Sequence, residues 1–117
     1  MQYTTLGERT GLKVSVLGFG AMRLPMTGEK VDRTKAIPMI HRAFEMGVNY
    51  IDTAVGYCNA DSQPTVGEAL KGWRNKVIVS TKNPSFEKTE RDKWRRNLED
   101  SLKRLQGAPA STARAAS

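Results

Sequence analysis

The stretch YIDTAVGYCN (residues 50–59) places a carboxylate directly after a short apolar run and a tyrosine five positions later. A second run, VIVSTK (77–82), is rich in β-branched residues and ends in a lysine. Continuous runs of this kind are typical of parallel strands that are covered on both faces. The two segments therefore predict two buried parallel strands, with Asp52, Tyr57 and Lys82 at or just beyond their carboxyl ends.

The part of the chain before these strands changes from a β pattern to a helical one. QYTTLGERTGLKVSVLGFG (2–20) predicts a hairpin followed by a third apolar run, Val14 to Phe19. GAMRLPMTGEK (20–30), with two glycines and one proline, is predicted to be loop. Asp32 or Thr34 can then cap a helix, because a side-chain oxygen there accepts a hydrogen bond from an unpaired amide. This helix is predicted to stop at Gly47, and Pro38 fits best near its first turn.

Two further helices are predicted after the first buried strand. Asp61 and Ser62 can cap one over PTVGEALKGW (64–73). Thr89 with Asp92 resembles a capping box that opens the other, whose apolar stripe consists of Trp94, Leu98, Ser101, Leu102 and Leu105. A hairpin followed by alternating strands and helices predicts the α/β class, with a parallel sheet and right-handed crossovers.

Composition excludes several classes of protein. The 117 residues suit one domain, although an apolar fraction of 38% predicts a thin core. The net charge of +7 comes largely from 87–105, where acidic and basic residues alternate as on a solvated helix face, so no nucleic-acid partner is expected. Cys58 is the only cysteine, and no apolar run approaches a membrane span, so we expect a cytoplasmic protein without a membrane partner.

The three polar residues at the strand ends predict a single site. Parallel α/β folds collect functional residues at the carboxyl ends of their strands, and neighbouring strands lie about 4.8 Å apart. The side chains of Asp52 and Lys82 can therefore meet, and Tyr57 can fold back over them.

These residue types favour acid catalysis. A tyrosine has an ordinary pKa of about 10, and a neighbouring ammonium lowers that pKa by favouring the phenolate. A carboxylate beside the ammonium keeps it charged and oriented. The group of three could then protonate an alkoxide that forms when a cofactor delivers hydride to a carbonyl.

Several segments in order resemble the aldo-keto reductase family over roughly residues 1–106. They are VLGFGAMRL (16–24), MIHRAFEMGVNYIDTAVGY (39–57), VGEAL (66–70) and VIVSTK (77–82). The resemblance implies a (β/α)8 barrel that transfers hydride between NADPH and a small carbonyl substrate, an aldehyde or ketone. Barrels of this kind typically need about 250 residues, so the resemblance implies a partial TIM barrel with an N-terminal β-hairpin and about three of eight β/α units.

The resemblance also assigns roles to residues. Asp52, Tyr57 and Lys82 match three of the four members of the family's catalytic tetrad of Asp, Tyr, Lys and His. Tyr57 would donate the proton, and Lys82 and Asp52 would tune it. Gly20, Ala21 and Met22, together with Asp52, match positions that border the cofactor. No metal site is indicated.

The carboxyl-terminal segment departs from the family pattern. The tetrad histidine belongs at the end of a fourth strand, shortly after Leu105, but GAPASTARAAS (107–117) contains only small residues apart from one arginine. We expect a non-homologous, disordered tail that cannot form a buried strand, and a fragment that is inactive alone. His41 falls in the first predicted helix, where an ordinary amphipathic position is expected.

An alternative reading is a non-catalytic fragment or binding module. The third strand would then present an unpaired apolar edge, which is a template for self-association. This alternative predicts association that depends on concentration and no binding of NADPH, whereas the reductase reading predicts cofactor-dependent chemistry.

Overall fold

A computed structural model describes residues 1–82, 91–105 and 113–116 of the chain. The strands are β1 (Tyr3–Thr5), β2 (Lys13–Ser15), β3 (Phe19–Gly20), β4 (Met26–Thr27), β5 (Lys30–Val31), β6 (Tyr50–Asp52), β7 (Ile78–Lys82) and β8 (Ala113–Ala116). The helices are α1 (Arg33–Glu45), α2 (Tyr57–Ala60), α3 (Ser62–Ala69) and α4 (Arg91–Arg104).

Four strands form a parallel sheet in the order β3-β6-β7-β8. Helices α1, α3 and α4 alternate with these strands along the chain, as the sequence pattern predicts. The register sets Gly20 opposite Asp52, and Asp52 opposite Ser80. The carboxyl ends of β3, β6 and β7 therefore lie along one edge of the sheet. This is the edge at which the site was predicted from the sequence.

The fourth strand corrects the sequence prediction. Residues 113–116 pair in parallel with β7, and Ala116 lies opposite Lys82, whereas we expected a disordered tail and an open edge on the third strand. Strand pairing uses backbone N–H and C=O groups, which alanines supply as well as larger residues. The small side chains of residues 107–117 were a reason to expect little apolar burial, but they do not prevent backbone pairing with a neighbouring strand. Residues 106–112 and 117 lie outside the described part of the chain.

The core lies between the sheet and the helices. Helices α1 and α3 pack against each other, and α3 also contacts α4. The fully or almost fully buried apolar side chains include Ala36, Ile40 and Phe44 of α1, Val66 and Ala69 of α3, Leu70, Ile51 of β6, Val79 of β7 and Leu105. Helical spacing places the buried residues of α1 on one face. On the central strands burial is interrupted, because only Ile51 is buried on β6, and Ser80 and Lys82 are half-buried on β7.

The ends of α1 follow the sequence signals closely. The carboxylate of Asp32 accepts a hydrogen bond from the Thr34 amide at 3.1 Å, and Gly47 follows the helix with a φ of +97°. Pro38 is the sixth residue of α1, so it lies deeper than the first turn in which we placed it. A proline there lacks the N–H that would bond four residues back, and the helix continues around it.

Three local predictions need correction. The segment predicted as loop contains a small antiparallel hairpin of β4 and β5, in which Gly28 turns with a φ of +61°. The predicted run from Val14 to Phe19 is broken, because Val16 and Leu17 are exposed between β2 and β3. Ser101 of α4 and Leu105, directly after the helix, are buried, but Trp94 is exposed, so the predicted apolar stripe is covered only in its second half. The predicted cap at Thr89 lies outside the described residues.

The antiparallel pairing of β1 with β2 confirms the predicted amino-terminal hairpin. The Tyr3 hydroxyl donates a hydrogen bond to the Gly47 carbonyl at 2.8 Å, which ties the hairpin to the end of α1. A Cβ at Gly47 would lie 2.8 Å from that hydroxyl oxygen and 3.0 Å from the Met1 Cβ. Within the described ranges, no helix has both the length and the apolar character needed to cross a membrane.

We predict that Gly47→Ala lowers the free energy of unfolding more than Gly28→Ala does. Both glycines have positive φ, so each substitution costs about 1–2 kcal/mol in backbone strain. Only the alanine at position 47 also displaces Tyr3, which adds the loss of a hydrogen bond worth about 0.5–1.5 kcal/mol. Urea unfolding followed by circular dichroism measures the difference.

The variant Tyr3→Phe supplies the control, because it removes the same hydrogen bond without backbone strain. Equal costs for Gly47→Ala and Gly28→Ala would contradict this account of the junction.

Candidate functional site

The carboxyl ends of β6 and β7 carry an ion pair. The Nζ atom of Lys82 lies 2.7 Å from Oδ2 of Asp52 and donates a second, longer hydrogen bond of 3.4 Å to the Thr53 carbonyl. Each side chain is roughly two-fifths exposed, so the pair is open to a ligand from the solvent side. The structure thus brings together the two side chains that the strand register predicts to meet.

Tyr57 completes the group. Its ring lies over the lysine, with the ring centre 4.9 Å from Nζ of Lys82. The Tyr57 amide bonds to the Ala54 carbonyl at 3.3 Å, which closes the turn that leads from β6 to the tyrosine. All three residues predicted to be catalytic are therefore neighbours at the mouth of the sheet.

The ammonium is held in its charged form. Burial works to lower the pKa of Lys82, but its hydrogen bonds and charge interactions with Asp52 and Tyr57 outweigh burial and raise that pKa above its ordinary value. A cation fixed beside a phenol stabilises the phenolate that remains after proton donation. The structure therefore places a charged ammonium 4.9 Å from the centre of the Tyr57 ring.

A left-handed turn follows Tyr57 directly. Cys58, Asn59 and Ala60 have φ values of 56°, 54° and 66°. The left-handed conformation costs an L-residue about 1–2 kcal/mol, and only asparagine among these three adopts it readily. The sequence does not indicate this turn, because neither cysteine nor alanine is a residue type that commonly has a positive φ. The thiol of Cys58 donates to the Met22 carbonyl at 3.4 Å, so the turn also contacts the segment after β3.

Asp61 anchors the end of this turn. Its carboxylate accepts hydrogen bonds from the Val31 amide at 2.9 Å and from both terminal nitrogens of Arg33 at 3.0 and 3.1 Å. Burial works to raise the pKa of Asp61, but the bonds from Arg33 and Val31 outweigh it and lower that pKa below its ordinary value. The predicted side-chain cap is wrong, because Asp61 precedes α3 without making a side-chain cap bond. No sequence signal links residues so far apart in the chain.

The segment predicted to border a cofactor lies against the same edge. The Ala21 amide donates to the Asp52 carbonyl at 2.8 Å, and the Ala21 carbonyl accepts from the Ser62 hydroxyl at 2.7 Å. Ser62 in turn accepts from the buried Thr53 hydroxyl at 2.7 Å. This chain of bonds fixes residues 20–22 relative to the ion pair, while the Met22 side chain stays half-exposed.

His41 lies apart from the site, as predicted. It sits between α1 and α3, with Nε2 2.7 Å from the Ala69 carbonyl and its ring near those of Phe44 and Trp73. Across the described residues, no group of three or more His, Cys, Asp or Glu side chains is placed to hold a metal ion.

The structure is thus a parallel α/β sheet that carries an Asp–Lys pair and a tyrosine at its carboxyl edge, and comparison with known proteins identifies the family. The model of the aldo/keto reductase family matches residues 16–110, and the chain belongs to that family.

Individual relatives agree with the family match. The aldo-keto reductase YhdN of Bacillus subtilis is 35% identical over 117 aligned residues, covering 91% of this chain and 35% of that protein. The structure of the aldo-keto reductase AKR11C1 from Bacillus halodurans, in its holo form, superposes with a TM-score of 0.74 and 37% identity over 91% of this chain and 37% of that one. An aldo-keto reductase from Klebsiella pneumoniae in complex with NADPH gives a TM-score of 0.70 at 26% identity, over 80% of this chain and 32% of that one. The chain spans about a third of the length of the curated relatives it matches.

We predict that Asp52→Asn lowers the pKa of Lys82 toward its ordinary value, because the nearest anion disappears. An alkaline titration of the lysine Cε signals by NMR measures this change. Since the folded pKa is raised, the pair stabilises the folded chain below the unfolded value of 10.5 and loses that contribution as pH rises through the folded value.

The matched control for this titration is Glu45→Gln, which removes a surface carboxylate that faces Arg42 at 3.7 Å. It leaves the Lys82 titration unchanged. A Lys82 signal that titrates identically in Asp52→Asn and in the unaltered chain would exclude the ion pair.

Proposed function

We propose that this chain carries the proton-donating part of an NADP(H)-dependent reductase of aldehydes or ketones. The observation that supports this most directly is the contact of one ammonium with both a carboxylate at 2.7 Å and a phenol ring at 4.9 Å. An opposite charge close to a phenol favours its ionised form, and the carboxylate of Asp52 at 2.7 Å holds that charge in place. Because the chain belongs to the aldo/keto reductase family, we take the reaction to be the reduction of an aldehyde or ketone.

Open space for a cofactor lies beside the ion pair at Gly20. Gly20 is exposed, and no described heavy atom lies within 4 Å of the position that a Cβ would take there. Met22 is half-exposed, whereas Ala21, which was also predicted to border the cofactor, is fully buried. NADPH bound against Gly20 and Met22 would supply hydride to a carbonyl carbon. The relative from Klebsiella pneumoniae was solved with NADPH.

The residues of this chain would then handle the proton. As hydride reaches the carbonyl carbon, the Tyr57 hydroxyl transfers its proton to the carbonyl oxygen, so an alcohol forms and a phenolate remains. Lys82 stabilises that phenolate by its charge, and Asp52 holds Lys82 charged and oriented through the 2.7 Å bond. Solvent returns a proton to Tyr57 before the next cycle.

We further propose that the 117-residue chain is inactive alone and corresponds to about three β/α units of a barrel. Its one histidine, His41, is bonded to the Ala69 carbonyl away from the ion pair, and no histidine follows Lys82 in the sequence. The fourth group of the family's tetrad is thus not supplied by this sequence. We expect mixing of the chain with NADPH and a small aldehyde to give no cofactor oxidation above background.

A chimaera tests the roles of the residues themselves. Residues 16–105 of this chain would replace the aligned segment of the Bacillus subtilis relative. We predict that this chimaera oxidises NADPH in the presence of an aldehyde, and that Tyr57→Phe lowers its kcat by about 10²–10⁴-fold, which is the usual contribution of a positioned acid. Steady-state absorbance of NADPH measures both quantities.

The control is Tyr50→Phe, which removes a phenol hydroxyl from β6 without touching the ion pair and is expected to leave kcat unchanged. A Tyr57→Phe chimaera with the full rate of its parent would refute the proposed role of Tyr57.

A further inference from the structure

We propose that Arg33 and Asp61 are positioning residues, whose ion pair holds the left-handed turn 58–60 closed and thereby keeps the Tyr57 ring over Lys82. The proposal rests on the proposed function for its catalytic meaning. The structural part of the proposal, that the ion pair fixes the position of the Tyr57 ring, can be tested on this chain without any enzymatic activity. Neither side chain touches the ion pair of Asp52 and Lys82, so both would act through the turn.

The turn needs an external restraint. Three consecutive residues without glycine have left-handed backbone conformations. The Cys58 thiol bonds to the Met22 carbonyl, far away in the chain, and Ala60 has no polar side-chain atom, so neither side chain bonds to the backbone of the turn itself. Conformations of this kind persist only where the surrounding structure over-determines them. Relaxation of any of the three residues would swing the chain on one side of the turn relative to the other, and Tyr57 lies at the junction.

The restraint is attached at one end of the turn. Asp61 is 5% exposed, and each of its carboxylate oxygens accepts a bond from Arg33 in a two-pronged geometry. Oδ2 also accepts the Val31 amide, and the Asp61 amide closes the turn by donating to the Cys58 carbonyl at 3.1 Å. The planar fork of an arginine fixes the direction of a carboxylate as well as its position. The end of the turn is therefore fixed in orientation.

The donors to the Asp61 carboxylate are themselves attached to three elements of the fold. Arg33 is the first residue of α1, and Val31 belongs to β5, so both donors come from the junction of a strand and a helix. The Nε atom of Arg33 also bonds to Glu68 of α3 at 3.0 Å, which holds the guanidinium from a third direction. The ion pair therefore transmits the position of this framework to Tyr57.

Ring-current shifts give a direct readout in the full 117-residue chain. The Lys82 ammonium lies over the Tyr57 ring, so its neighbouring Cε protons are shifted upfield, and Tyr57→Leu calibrates the unshifted value. We expect Arg33→Met to lose at least half of this upfield shift. The matched control is Arg42→Met, which removes an exposed arginine of the same helix and is expected to keep the full shift.

A rescue separates positioning from simple stabilisation. Glycine adopts positive φ without strain, so Ala60→Gly in the Arg33→Met background should restore most of the shift, whereas Ala60→Gly alone should leave it unchanged. If Arg33→Met fails to fold, Asp61→Asn is measured in its place, because it removes the charge and keeps an oxygen for the Val31 amide.

Three results would overturn the proposal. They are a full shift in folded Arg33→Met, a loss that Ala60→Gly does not restore, and no ring-current shift in the unaltered chain. The ring-current experiment and the chimaera test different proposals. If the shift is lost and rescued as predicted but the chimaera is inactive, the positioning of Tyr57 by Arg33 and Asp61 is supported and the proposed function is not.

Discussion

The parallel register of β6 with its two neighbours is the constraint on which the site depends. Asp52 lies opposite Gly20 on one side and Ser80 on the other, so Lys82, two residues beyond Ser80, extends past the end of β6 toward the carboxylate. A shift of one residue would turn the Asp52 side chain to the other face of the sheet. The 2.7 Å contact and the position of Tyr57 would then both be lost. The contact between Asp52 and Lys82 thus depends on how these short strands pair.

Buried hydroxyl and amide groups maintain this register. Thr53, Ser62, Gln63, Thr65 and Thr81 are almost completely buried, and each has a hydrogen-bond partner. Gln63 donates to Thr81 of β7 at 2.6 Å and accepts from Arg104 of α4 at 3.2 Å, so it ties a strand to the helix that follows. A buried polar group is costly when unpaired, so a satisfied network of this kind favours one arrangement over shifted alternatives.

The sequence predicted those parts of the molecule that repeat a local pattern. The cap at Asp32 or Thr34 and the stop at Gly47 involve residues close in the chain, and the strand ends at Asp52 and Lys82 follow from the parallel order of the elements. The bond between Arg33 and Asp61 joins residues 28 positions apart, and no periodicity reports such a pair. The left-handed turn was missed because its residues are unusual for that conformation. The fourth strand was missed because side-chain character was used to judge a backbone interaction.

The hydrogen bond of His41 has a consequence for the two helices that it joins. A carbonyl oxygen can only accept, so Nε2 must carry the hydrogen in its bond to Ala69. The neutral ring that makes this bond is thus the Nε2–H tautomer, and its Nδ1 atom is an acceptor. A side chain without a donor at the place of Nε2 would leave the Ala69 carbonyl without this partner, and α1 and α3 would lose a direct bond between them.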